Sequence, residues 1–172
     1  PSGGECVARK VSGTRVCRMP GEARLDGGDI IRLGDLFLVG RSSRTNAAGI
    51  EELRALLPHL GHDLRVVEIP GHALHLTSIS STPTDSIILV PEGYLPEDAF
   101  GELAEGCEVK WMPNEEAYGC NTIGLPNGQV LVAERYPTVL ETIKSLGLEP
   151  IILDMSQIRA ADGSLTCCSL FY

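Results

Sequence analysis

The sequence lacks long apolar runs, an excess of positive charge and the paired-cysteine spacing of metal or disulfide frameworks. None of its apolar stretches approaches the ~18 to 20 residues of a membrane-spanning helix, so no membrane span is expected. Fourteen Lys plus Arg against 23 Asp plus Glu leave a net charge of −9. That balance argues against nucleic acid and anionic membrane surfaces as partners, and a cationic small substrate fits the field better. Six cysteines, at 6, 17, 107, 120, 167 and 168, include no C-x-x-C pair. Neither a zinc site nor a disulfide set is specified, and no metal is expected. Pro1-Ser2-Gly3-Gly4-Glu5-Cys6 has no basic or apolar export signal, so a cytoplasmic location with reduced thiols is expected. Cys17, Cys107 and Cys168 are expected to be buried small hydrophobes.

A chain of 172 residues with 43% apolar content fits one globular domain over residues 1–172. Turn residues divide it into short segments whose hydrophobic period alternates between strand and helix, which reads as α/β. Strands are expected at 14–19 and 30–40, the second folded into a hairpin by Gly34-Asp35. A helix capped at Thr45 or Asn46 follows, stopping at Gly61, and Leu64–Ile69 returns as a strand. The same grammar recurs: strand 86–90, a helix from Pro96 to Gly106, strand 107–111; then strands 121–125 and 129–133, a helix 137–147 and strand 150–154. A final strand is expected over 164–171. Repeated strand-strand-helix-strand units of similar length, without low-complexity linkers, suggest a structural repeat.

Four segments carry chemistry. Asp26-Gly27-Gly28-Asp29 is either an acidic loop whose glycines admit a ligand or a plain turn into the next strand. His75, in Leu74-His75-Leu76, is a general base if its face lines a pocket and a packed core residue otherwise. Arg41-Ser42-Ser43-Arg44-Thr45-Asn46 lies between a strand and a helix, where an arginine can clamp a carboxylate or lie free in solvent. Cys167 and Cys168, in a strand, would point to opposite faces, so that one thiol faces a pocket. Thiol, imidazole and carboxylate are the parts of nucleophilic catalysis, and such partners meet only in the fold.

Taken in order, Leu25-Asp26-Gly27-Gly28-Asp29, Gly40-Arg41-Ser42-Ser43-Arg44-Thr45-Asn46, Leu74-His75-Leu76 and Leu165-Thr166-Cys167-Cys168-Ser169 resemble the dimethylarginine dimethylaminohydrolases. These belong to the guanidine-modifying pentein superfamily. The resemblance implies a β/α propeller of strand-strand-helix-strand modules, of which this chain has the C-terminal three fifths. It implies hydrolysis of N-methylated arginine to citrulline and a methylamine, with no metal or organic cofactor. Cys167 would be the nucleophile, with His75 as general acid and base. Asp26 would orient His75 or the guanidinium, with Asp29 beside it. Arg44 would bind the substrate carboxylate, Asp162 would lie against the guanidinium and Asn121 near the cysteine. Further polypeptide, upstream or as a partner chain, would complete the ring, and a homo-oligomer is compatible. An arginine deiminase, an amidinotransferase of the same fold or a non-catalytic binding remnant are the alternatives.

Overall fold

The computed structural model describes residues 18–169. Three sheets of three strands follow one another along the chain, each with an antiparallel hairpin and a third strand parallel to the second. The first holds β1 (Ile30–Leu33), β2 (Leu36–Arg41) and β3 (Asp63–Glu68). The second holds β4 (Ser81–Thr84), β5 (Ile87–Pro91) and β6 (Glu108–Met112), and the third β7 (Ile123–Gly124), β8 (Gln129–Ala133) and β9 (Glu149–Leu153).

The β1–β2 hairpin closes at Gly34, whose φ of 58° only glycine adopts freely, as two-residue hairpin turns require. The parallel β2–β3 pair needs a crossover, supplied by α1 (Ala47–Leu56) and a 3-10 turn over Leu57–Leu60. Asn46 caps α1 by accepting from the Gly49 amide, and Gly61 ends the segment in the left-handed region. In the third sheet α2 (Pro137–Ser145) makes the crossover. Its first amides are met by a buried carboxylate, Glu116, which accepts from Thr138 and Val139 at 3.0 Å each. A short α3 (Ser156–Ala160) follows β9.

The helix expected over 96–106 is absent. Gly101 turns left-handed at φ 56°, and the Arg65 guanidinium packs over it and captures the Phe100 carbonyl, while Phe100 and Leu95 are buried. The crossover there is a series of turns. The strand expected over 164–171 is also overturned for its described part. Residues 166–168 form a 3-10 turn, because Asn121 takes both the amide and the hydroxyl of Thr166. The strand expected at 14–19 lies mostly outside the described residues, and Arg18 and Met19 are not in a strand. Cys17 lies outside them as well.

Strand β5 explains how three small sheets make a continuous interior. Its five residues are all buried, and their alternation sends Ile88 and Val90 into one core and Ile87 and Leu89 into the other. The first core holds Leu38, Val67, Leu76 and Phe100; the second holds Val130, Val132, Val139 and Ile143. The first strands of the three sheets then meet side by side. Pro83 of β4 lies so close to β7 that a Cβ on Gly124 would sit 2.3 Å from its carbonyl oxygen. Ser81 donates to the Cys120 carbonyl and shares a hydrogen bond of 2.7 Å with Thr122 across the same seam.

Candidate active site

The three first strands, β1, β4 and β7, line a cleft of about 810 Å³ together with the loops at their starts. Asp26, Gly28, His75, Thr77, Thr166 and Cys167 are among its walls, so the sequence-predicted acid, base and thiol share one space. They arrive from three segments separated by nearly the whole chain.

The acidic loop is a 3-10 turn over Gly27–Asp29, capped by Asp26, whose Oδ1 accepts from the Gly28 amide at 2.9 Å. The other oxygen, Oδ2, lies 3.3 Å from His75 Nε2. Arg44 Nη1 lies 3.5 Å from that same nitrogen. His75 Nε2 therefore has an acceptor when protonated and a donor when not. A group that must give up and take back a proton needs a partner in both states. The imidazole rests on the glycine loop: a Cβ on Gly28 would sit 2.7 Å from His75 Cγ, which is why the loop is glycine there. The two leucines that flank His75 are not packed alike. His75 precedes a short 3-10 turn, Leu76 is fully buried and Leu74 is 46% exposed.

Asp29, expected at the substrate, is instead beneath it. Its side chain is fully buried and outside the cleft walls. It accepts from Ser42 Oγ at 2.6 Å, Thr45 Oγ1 at 2.7 Å and the Leu76 amide at 3.1 Å. One carboxylate thus ties the acidic loop, the Arg41–Asn46 segment and the backbone after His75. Thr45 returns a further bond by accepting from the Asp26 amide at 3.0 Å. Asp162 is likewise placed elsewhere. It is exposed on a left-handed turn after α3, with φ 58°, and is not among the cleft residues. Arg44 reaches the imidazole rather than a remote end of the cleft.

The cysteine loop is held from below. Asn121 is 1% exposed, donates to the Thr77 carbonyl and to Thr166 Oγ1 at 2.8 Å, and accepts from the Thr166 amide at 3.1 Å. Tyr118 donates to the Gly163 carbonyl at 2.9 Å. Arg159 of α3 lies 4.9 Å over the Tyr118 ring and donates to the Tyr136 hydroxyl at 2.7 Å. Burial and the neighbouring Tyr136 push the Tyr118 hydroxyl above its ordinary value, so it stays a donor. Cys167 and Cys168 are both exposed, which removes the expected burial of Cys168; only Cys167 lines the cleft. Cys107 is half-buried, and among the described residues the buried thiol is Cys120, pushed by desolvation up to about 12.

Ser42, Thr77, Tyr118 and Ser164 were not singled out in the sequence, and Thr45 was read only as a candidate helix cap. Ser42, Thr45 and Thr77 lie inside or beside the motifs, but nothing in residue type distinguishes a donor to a buried carboxylate from a cap. Tyr118 and Ser164 carry no sequence signal. Among the described residues no cluster of three or more His, Cys, Asp or Glu suits a metal ion, and no helix is long and apolar enough to cross a membrane.

Three sheets with a common strand order around a shared cleft make a mixed α/β fold that solved amidinotransferase and dimethylarginine dimethylaminohydrolase structures share. An amidinotransferase of Microseira wollei superposes with a TM-score of 0.74 over 90% of this chain and 51% of its own, at 20% identity, a likeness of fold alone. No family model matches the chain. Within that class the chain resembles the dimethylarginine dimethylaminohydrolases in sequence as well as fold. The enzyme of Streptomyces coelicolor is 34% identical over 167 residues, covering 96% of this chain and 60% of the relative. The structure of the Pseudomonas aeruginosa enzyme, a variant complexed with citrulline, is 30% identical with a TM-score of 0.80 over 98% of this chain and 64% of that one. The chain thus spans about three fifths of the length of the relatives it matches.

Proposed function

We propose that the protein hydrolyses an N-methylated arginine to citrulline and a methylamine through a covalent intermediate on Cys167. The observation that carries this is the meeting of Cys167, His75 and Asp26 in one cleft, in a chain that resembles dimethylarginine dimethylaminohydrolases along 96% of its length. In this reading the Cys167 thiolate attacks the guanidinium carbon. His75 protonates the departing amine, leaving a thiouronium joined to sulfur. His75 then takes a proton from water, whose oxygen attacks the same carbon, and the carbon–sulfur bond breaks to give citrulline and the free thiolate. Asp26 and Arg44 hold the imidazole on its outer nitrogen in both proton states, and Arg44, exposed beside His75, is read as the cation that meets a substrate carboxylate, with Arg32 a second cation on the cleft wall. Asp29 and Asn121 act by placing the loops.

Three repeats of one strand order with inner strands facing a common cleft support a pentein-type propeller, with residues 1–172 as part of one domain. Further polypeptide or a partner chain then closes the ring and adds guanidine-binding carboxylates. The location is cytoplasmic in this reading. The test is turnover of dimethylarginine, arginine and citrulline by the full-length protein, with peptide mapping of the thiol labelled by an electrophilic amidine. Methylamine release and a label on Cys167, with Cys168→Ser labelled as wild type, are expected. A label on Cys168, or turnover by Cys167→Ser, refutes the assignment.

A further inference from the structure

The cysteine loop contains a hydroxyl that the chemistry above leaves unused. Ser164 Oγ lies 3.2 Å from Cys167 Sγ, and Ser164 is 7% exposed. The other hydroxyl near it among the described residues, Thr166 Oγ1, is at 3.4 Å. That oxygen already accepts from Asn121 Nδ2 and points its own proton toward Thr77 Oγ1. The sulfur is thus the closer acceptor for the Ser164 proton. The contact is also held in place, since Tyr118 pins Gly163 and Asn121 pins Thr166 on either side of Ser164.

We propose that Ser164 supports the nucleophile: its hydroxyl donates to the Cys167 thiolate, favouring the ionised sulfur and fixing its direction toward the cleft. This rests on reading Cys167 as the nucleophile. The charged or titratable groups around the cleft and the loop are His75, Asp26, Arg32 and Asp85 on the cleft walls, Cys168 next in the chain, and Tyr118 with Arg159 under the loop. Ser164 differs from all of these in neither carrying charge nor titrating, so its contribution is one hydrogen bond to an anion and leaves the net charge of the site untouched.

The magnitude gives a distinctive signature. A charge-assisted hydrogen bond to an exposed thiolate corresponds to about one pH unit in its ionisation midpoint. Removing it lowers the thiolate fraction about tenfold below the midpoint but raises the intrinsic nucleophilicity about threefold, since reactivity follows about half of the basicity. The rate of Cys167 alkylation is therefore expected to fall about threefold at low pH and rise about threefold at high pH, so that the two profiles cross. A loosened loop would change the rate by one factor at all pH values and leave the midpoint in place.

The experiment is iodoacetamide alkylation of the full-length protein across pH, read by peptide mapping at Cys167, for wild type, Ser164→Ala and Ser164→Gly. A midpoint about one pH unit higher and crossing profiles in both variants are expected. A midpoint unchanged in both variants overturns the proposal. Turnover of dimethylarginine by Cys167→Ser, measured alongside, identifies the separate case in which the nucleophile itself was wrongly assigned.

Discussion

Adding one methyl group at Gly28 is expected to disable the site without unfolding the protein. A Cβ there lies 2.7 Å from His75 Cγ, 2.8 Å from Nδ1 and 3.1 Å from Cδ2. Ordinary carbon–carbon contact is about 3.5 to 4.0 Å, so the ring must retreat by roughly 1 Å. The backbone cannot follow easily, because the Leu76 amide is bound to buried Asp29. The ring must then swing, and Nε2 leaves both Asp26 Oδ2 at 3.3 Å and Arg44 Nη1 at 3.5 Å. A misplacement of about 1 Å of a catalytic group costs on the order of a hundredfold in rate. Gly28 is not in the left-handed region, so alanine carries no backbone strain. The melting temperature should stay within about 4 °C, the shift that about 1 kcal/mol produces in a domain of this size. Gly27→Ala is the control, since a Cβ there meets nothing within 4 Å. Initial rates for dimethylarginine together with thermal melts test the reasoning. Equal kcat/KM for the two alanine variants would refute it, as would a Gly28→Ala protein that loses activity only because it melts.

Asp29→Asn replaces an acceptor of three hydrogen bonds by an amide that brings donors toward donors. It should destabilise the fold by about 2 to 4 kcal/mol, measured by urea unfolding, and lower turnover in the part that remains folded. The buried Cys120 thiol ionises at 9.0 ordinarily and at about 12 in the fold. Above pH 9 the unfolded chain holds fewer protons than the folded one, so this group's contribution falls with rising pH between those values. The slope is at most about 1.4 kcal/mol per pH unit. Cys120→Ala should flatten the alkaline arm of the stability profile, and an unchanged arm would exclude the thiol as its source.

The parts of the fold that were legible are those where local chemistry decides. Gly34-Asp35 fixed the first hairpin, Asn46 and Gly61 bounded the first crossover, and Pro137 to Gly147 framed the second helix. What was misread depends on partners distant in the chain. Pro96–Gly106 has helical composition, but Arg65, from β3, takes the Phe100 carbonyl and a left-handed Gly101 breaks the turn. Residues 164–171 read like a strand, but Asn121 occupies the Thr166 amide that a sheet would use. β4, Ser-Thr-Pro-Thr, has no apolar face to announce it, because it packs through hydroxyls against the Cys120–Thr122 segment. In the site, the ordered motifs pointed to Asp26, His75 and Cys167, which the fold does bring to one cleft. Asp29 was read as a ligand because only burial separates it from Asp26, three residues away.

Asp29 also sets how the site fails. Because one carboxylate fastens the acidic loop, the Arg41–Asn46 segment and the chain after His75, these cannot open one at a time without exposing an unpaired buried charge. Arg44, His75 and Asp26 are therefore gathered into a single cooperative unit of local unfolding. Hydrogen exchange at the Leu76 amide reads that unit directly: its protection measures the population of protein in which the whole reactive corner exists. A substitution at Arg44 acts on the same unit, so it is expected to shift the His75 imidazole as well.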